Sequence, residues 1–252
     1  ANATAGDAAA AGTIGLAGVE TINVVSAGTV GNGSNSIDIS DAALKTLKIT
    51  GSQAATVTFS TATTATSLID GSAATGSLNI DTSNVVAATA ANGGLTVKGG
   101  TAADSLTIAQ GATVTGGAGN DAFLLTAGTL KLDTANAADI AAKMVTITDF
   151  ARGDTIDFLG AANTGGNTAL HFTDASSAAD LAAAANSVLT ANGAASIEAF
   201  RFGGDTYIVA DTGTTGSFGS GDVLVKLAGI VDLNSVVFNA TGGEVSFGSA
   251  AI

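Results

Sequence analysis

Cysteine, proline and tryptophan are absent from this chain of 252 residues, and histidine and tyrosine occur once each. Without cysteine there is no disulfide framework and no thiolate metal site, so an exported chain needs another source of stability. The lack of proline argues against a disordered linker, which leans on Pro, Lys and Glu, and against collagen, which needs Pro and a strict Gly-X-Y period. Positive charge is scarce: 8 Lys and Arg stand against 21 Asp and Glu, a net charge of −13. Such a chain repels DNA, RNA and anionic lipid, which argues against nucleic acid as a partner. No apolar run reaches the ~20 residues that span a membrane, so no direct membrane insertion is expected. The opening Ala1-Asn2-Ala3-Thr4 has no Met, basic region or apolar leader, and it reads as the start of a C-terminal fragment.

Catalytic equipment is equally thin. The sole histidine, His171, sits between Leu170 and Phe172 in an expected strand, so a two-histidine metal site such as H-E-x-x-H cannot form. There is no G-x-S-x-G elbow, no phosphate loop of the G-x-x-x-x-G-K-[ST] type and no cysteine nucleophile. Paired carboxylates for sugar cleavage would need an aromatic-lined cleft, which one Tyr and no Trp do not supply. The expectation is a protein that is not an enzyme.

What the chain has in excess is glycine, 34 residues, nearly twice the ~7% of average usage. Hydrophobic residues make up 46% while aromatics make up 4%, because Ala, Val, Ile and Leu carry the apolar content. That combination selects a narrow, repetitive β architecture with tight turns. Only Glu20, Glu198 and Glu244 are glutamate, so 18 of the acids are aspartate. The short Asp stem places a carboxylate beside turn backbone, the arrangement a hard cation such as Ca²⁺ requires.

Period-two alternation marks strands at Val19–Val24, Leu44–Ile49, Ser77–Ile80, Leu95–Val97 and Ser105–Ile108, separated by Gly/Ser/Asn/Ala turns. Their recurrence every roughly 10 to 25 residues fits the turns of a parallel β-solenoid. An antiparallel sandwich is the alternative arrangement of the same strands. Phe59 is the only Phe before residue 123, whereas nine follow, which implies two cores: residues 1–130 as solenoid and 131–252 as a β-rich capping region. In the second part, Thr134–Lys143 and Ser176–Ala191 read as short helices, begun by a capping Thr and a capping Ser.

The most specific motif is Gly116-Gly117-Ala118-Gly119-Asn120-Asp121-Ala122-Phe123-Leu124, which satisfies every specified position of the nonapeptide G-G-x-G-x-D-x-U-x. Its glycines let a six-residue turn curl so that carbonyl oxygens and the Asp carboxylate converge on a cation, while the large apolar residue enters the core. A second copy, Gly99-Gly100-Thr101-Ala102-Ala103-Asp104-Ser105-Leu106-Thr107, keeps all but the fourth-position Gly. Asp104 and Asp121 lie 17 residues apart, one short of the ~18 of two nonapeptides, consistent with a clipped opposite loop at Ala109–Gly111. The loops are therefore expected to stack on one edge and to share a Ca²⁺ ion held by Gly99, Thr101, Asp104, Gly116, Ala118 and Asp121. The same glycines match a dinucleotide fingerprint from Gly117, but that needs a helix where Ala122-Phe123-Leu124-Leu125 continues as a strand. Asp149, Asp154 and Asp157, bent around Gly153, form a further Ca²⁺ candidate, with solvated turn residues as the alternative. Asp70 and Asp81 flank another Gly-rich turn and are read as a weaker Ca²⁺ candidate or as turn caps.

These residues resemble the RTX (repeats-in-toxin) family of calcium-binding proteins exported by type I secretion. Ile147–Phe158, with Asp149-Phe150, Gly153-Asp154 and Ile156-Asp157, looks like the segment that closes β-rolls in that family. Ala199–Val209 and Asp222–Gly229 resemble its C-terminal cap and export region. Gly18–Val24, Leu44–Leu47 and Ser67–Gly76 are similar to its bacterial surface-layer (S-layer) members. The resemblance implies a calcium-folded extracellular β-roll that self-associates into a two-dimensional lattice on the cell surface, anchored through a region upstream of this chain. The same likeness leaves two alternatives, the C-terminal secretion module of a hydrolase or toxin, and an adhesin. Two nonapeptides, in place of a long array, limit the number of ions to be expected.

Overall fold

The computed structural model describes residues 2–5, 12–15, 17–28, 33–86, 94–126, 132–133, 136–159, 170, 172–193, 196–211, 216–232, 236–239 and 244–247. His171 lies outside the described residues. The chain is mainly β and forms two compact units, Ala1–Phe123 and Leu124–Ile252.

In the first unit the chain passes back and forth between two parallel sheets. The first sheet holds β1 (Asn2–Ala5), β3 (Thr21–Ser26), β5 (Thr46–Gly51), β7 (Leu68–Ala74), β9 (Thr96–Lys98) and β11 (Thr113–Thr115), in that order. The second holds β2 (Gly12–Ile14), β4 (Asn35–Ile39), β6 (Ala55–Phe59), β8 (Leu78–Asp81) and β10 (Ser105–Ile108); β12 (Ala122–Thr126) follows the last turn. Every one of these pairings is parallel, so the unit is a parallel β-solenoid.

Alternation along each strand becomes columns across the rungs. Ile22, Leu47, Ile69, Val97 and Val114 are successive partners in the first sheet, and Ile37, Val57, Ile80 and Leu106 in the second. All nine side chains are buried. Each contributes about 1.5–3 kcal/mol by leaving water, so these columns are the principal attraction between rungs. The partners of the first column are separated by 25, 22, 28 and 17 residues, and the turns absorb the difference. On one edge, three-residue turns (52–54 and 75–77) give way to six-residue turns at 99–104 and 116–121.

In the second unit, β13 (Val145–Ile147), β18 (Val223–Leu227), β17 (Asp205–Ala210), β16 (Ile197–Phe202) and β15 (Phe172–Asp174) form one mixed sheet. A second group pairs β14 (Thr155–Leu159), β20 (Glu244–Phe247) and β19 (Val236–Asn239) antiparallel. The two expected helices are present as α1 (Ala137–Lys143) and α2 (Leu181–Asn192), but both start later than the capping Thr and Ser suggest. Asn136 and Asp180 cap them instead, each side chain accepting from the backbone N–H three residues on. Ser176 lies before the helix, where its N–H donates to Asp174. Helix α2 stops at Gly193, whose φ of 91° ends the helical turn. Ala184, Ala185, Val188 and Leu189 of α2 pack with Phe200, Tyr207 and Phe218, and the Phe200 and Tyr207 rings stack at 5.3 Å. The large aromatics thus serve a helix-on-sheet core, while the thin solenoid interior uses mostly aliphatic residues.

Replacing Leu47 with Ala removes the middle of a closed column and is expected to cost about 2–5 kcal/mol in urea unfolding. Val86→Ala, at a site 53% exposed, is expected to change stability by less than about 0.5 kcal/mol. Equal losses at the two positions would contradict the column as the source of rung cohesion.

Candidate metal centre

The structure brings the two glycine-rich turns together on one edge, on adjacent rungs. Val97 and Val114 are in register just before them, and the Ala118 N–H donates to the Gly100 carbonyl at 3.1 Å. The Ala122 N–H reaches the Asp104 carbonyl at 2.8 Å at the far end of the turns. The crest is open, with Thr101, Ala103, Ala118, Gly119 and Asn120 exposed, and the two acids lie beneath it. Asp104 is 3% and Asp121 2% exposed.

Both carboxylates are engaged by backbone. Asp104 Oδ2 accepts from the Gly100 N–H at 2.5 Å within its own turn, and Oδ1 accepts from Leu78 N–H at 2.8 Å on the preceding rung. Asp121 Oδ1 repeats the second contact one rung later, accepting from Asp104 N–H at 2.9 Å. Each Asp therefore satisfies amides that a sharp turn would otherwise bury unpaired. Burial pushes the Asp104 carboxyl above its ordinary range, and the two amide donors only partly offset this.

The glycines are required by close approach. A Cβ on Gly99 would stand 2.5 Å from Asp104 Oδ2 and overlap the Gly116 carbonyl. On Gly100 it would stand 2.6 Å from the Ala74 carbonyl oxygen, and on Gly116 3.0 Å from both Asp121 Cγ and Phe123 Cζ. Gly117 and Gly119 add positive φ values of 104° and 133°, which L side chains rarely adopt. Together they form a cradle in which backbone oxygens and carboxylates from two rungs approach with no side chain between them.

The other acidic candidates are arranged differently. Asp154 is buried and caps its own turn, accepting from Ala151 N–H at 2.8 Å. Asp157 lies within β14, where it alternates with the buried Ile156 and Phe158, and Asp149 is half-buried. Among the described residues, no three acidic or imidazole side chains gather into a metal-sized group, so Asp149, Asp154 and Asp157 do not converge. Asp70 and Asp81 sit on different sheets and cap the N–H groups of Ser72 and Ser83. A buried acid that sequence reasoning did not single out is Asp41 on the opposite edge, which accepts from Val19 N–H and Ala43 N–H, both at 2.9 Å. Its signal was the Asp placed two residues before the amide it caps.

Neither the scan against protein-family models nor the search of curated proteins finds a match for this chain. No helix among the described residues is long and apolar enough to cross a membrane.

Two outcomes are expected from the turn geometry. Gly99→Ala should destabilise by about 1–3 kcal/mol through overlap with the adjacent rung, whereas Gly15→Ala, with nothing within 4 Å of the added Cβ, should be near neutral. For Asp104 the folded pKa is raised, so its favourable contribution is complete below the ordinary value of 3.8 and is lost as pH rises through the folded value. In chelator, wild type should therefore lose stability relative to Asp104→Asn as pH rises across that interval. A difference independent of pH would contradict an uncompensated buried carboxylate.

Proposed function

We propose that this chain is a structural, non-enzymatic component of a calcium-dependent bacterial surface layer of the RTX type, exported by type I secretion and self-associating into a two-dimensional lattice. The observation that carries the reading is the pair of buried carboxylates, Asp104 and Asp121, on successive rungs of a glycine-rich cradle. The donors are oxygens alone, which suits Ca²⁺ and not a thiolate- or imidazole-preferring metal. Gly99, Thr101, Gly116 and Ala118 would hold the ion through carbonyls and Asp104 and Asp121 through carboxylates, with both Asp104 oxygens and Asp121 Oδ1 having a second acceptor direction beside their amide contacts. Bound calcium supplies positive charge where burial now disfavours an ionised acid.

The consequence is a folding switch. An ion that binds only the native turns, present at about a thousand times its dissociation constant, stabilises by about 4 kcal/mol per site. In low calcium, a chain of net charge −13 is disfavoured in compact form by self-repulsion, which keeps it competent for export. Outside the cell the solenoid locks and presents its two sheet faces for association. Anchoring to the cell falls to a region upstream of this chain.

Two measurements test this. Isothermal titration of the chain with CaCl₂ should show uptake that Asp121→Ala reduces by at least about tenfold in affinity, a loss of about 1.4 kcal/mol. Negative-stain electron microscopy should show ordered sheets in millimolar calcium and dispersed particles in chelator. Unchanged uptake in Asp121→Ala removes the turn site, and dispersed particles in both conditions move the reading to a secretion module with its activity upstream.

A further inference from the structure

The two outward faces of the solenoid differ in charge, and the difference follows the rungs. In the first sheet, Lys48, Asp70 and Lys98 are successive partners on β5, β7 and β9. They alternate with the buried Leu47, Ile69 and Val97, so they point outward. Asp70 accepts from the Ser72 hydroxyl at 2.6 Å, its main partner, with Lys98 and Lys48 as weaker neighbouring positive charges. In the second sheet, Asp38 on β4 is the partner of Thr58 on β6. Asp81 on β8 follows Ile80, the partner of Val57, and so continues that column. Asp38 is spanned by the hydroxyls of Thr13 at 3.3 Å and Thr58 at 3.2 Å, which hold it in line. Strands β4, β6, β8 and β10 contain no Lys or Arg.

The spacings match. Lys48 and Lys98 are two rungs apart, and so are Asp38 and Asp81; at ~4.8 Å per strand each pair spans roughly 10 Å. The residue between the lysines is Asp70, and the residue between the aspartates is Thr58, uncharged and with its hydroxyl donated to Asp38. Neighbouring columns run Thr46, Leu68 and Thr96 on one face and Thr56, Asn79 and Ser105 on the other. Leu68, next to Asp70 on its face, is the one large side chain among them.

We propose that these faces are complementary docking surfaces, the Lys48/Lys98 face of one molecule packing on the Asp38/Asp81 face of a second copy. The proposal rests on the self-association reading above and names the surface that performs it. The Lys–Asp–Lys column is symmetric about Asp70, so the charges meet whether the two solenoid axes run parallel or antiparallel. At physiological ionic strength the Debye length is ~8 Å, which screens the general repulsion between acidic copies while leaving contacting pairs in force.

The test uses two charge-reversed chains, Lys48→Glu with Lys98→Glu and Asp38→Lys with Asp81→Lys, followed by sedimentation velocity in millimolar CaCl₂. Each variant alone should need an about tenfold or higher concentration to associate than wild type, because like charges now face one another. An equimolar mixture should recover wild-type association, since each reversed face then meets its complement. Misfolded chains cannot give that recovery, and Lys48→Gln with Lys98→Gln serves as a milder pair if a reversal lowers thermal stability. Wild type dispersed at every concentration overturns both this pairing and the assembly reading. Wild type associating while both variants associate equally, or a mixture that fails to recover, overturns the pairing alone. Loss in the Asp38/Asp81 variant only would overturn it too, assigning the acidic face to bridging cations.

Discussion

The constraint on which the rest of the solenoid depends is the ~4.8 Å separation of successive rungs stacked parallel and in register. At that distance a column either repeats a compatible side chain or is interrupted. Inside, compatible means Ile, Leu and Val, as in Ile22, Leu47, Ile69, Val97 and Val114. At the turns it means no side chain at all: a Cβ on Gly51, Gly76, Gly99, Gly100 or Gly117 would run into backbone of the adjacent rung. Proline fits poorly in such a stack, because interior strands need every N–H for the next rung. The composition is therefore largely a consequence of stacking, and much of the glycine content is a steric requirement.

Stacking also creates the need that the aspartates meet. Where the chain bends sharply between sheets, amides point inward without a ladder partner, and Asp41, Asp104 and Asp121 reach across from one rung to the next to accept from them. A buried, cross-rung aspartate is thus a structural device of this fold on both edges, and burial of one acid is not by itself a mark of calcium. What separates the 99–104 and 116–121 turns is that two such acids occupy consecutive rungs, in turns of six residues where the two immediately preceding ones on that edge, 52–54 and 75–77, have three. The extra residues are unnecessary for reversing direction. They open a crest of exposed backbone above two carboxylates, and that surplus is what the proposed ion would use.

Much of this was legible in the sequence because it is local. Alternation in Leu44–Ile49 or Ser105–Ile108 marks a strand before its neighbours are known, and the 17-residue interval between Asp104 and Asp121 places both turns on one edge. Other features were not legible for definite reasons. Thr134, Asn136, Ser176 and Asp180 all have side chains able to cap a helix, and only the packed structure selects Asn136 and Asp180. Asp149, Asp154 and Asp157 are close in sequence, yet strand alternation in β14 sets Asp157 apart from Ile156 and Phe158 on the buried side. The charge columns were hidden most completely. Lys48 and Lys98 are 50 residues apart in sequence, and only register makes them neighbours but one.

The proposed pairing of unlike faces has a geometric consequence for a layer. A contact between two different surfaces of the same molecule is heterologous, and where no rotation closes it, each docked copy leaves one face of each kind free. Rows of solenoids then grow without limit along the direction normal to the sheets. A row is not a layer, and a second direction needs a surface that face pairing does not use. The turn edges are such surfaces, since they lie between the two faces and their crest at Thr101, Ala118, Gly119 and Asn120 stays exposed. In this scheme calcium and the charge columns have separate tasks. The ion fixes the turns, and with them the rung register; the register aligns Lys48 with Lys98 and Asp38 with Asp81, so the faces become complementary only once the turns are in place.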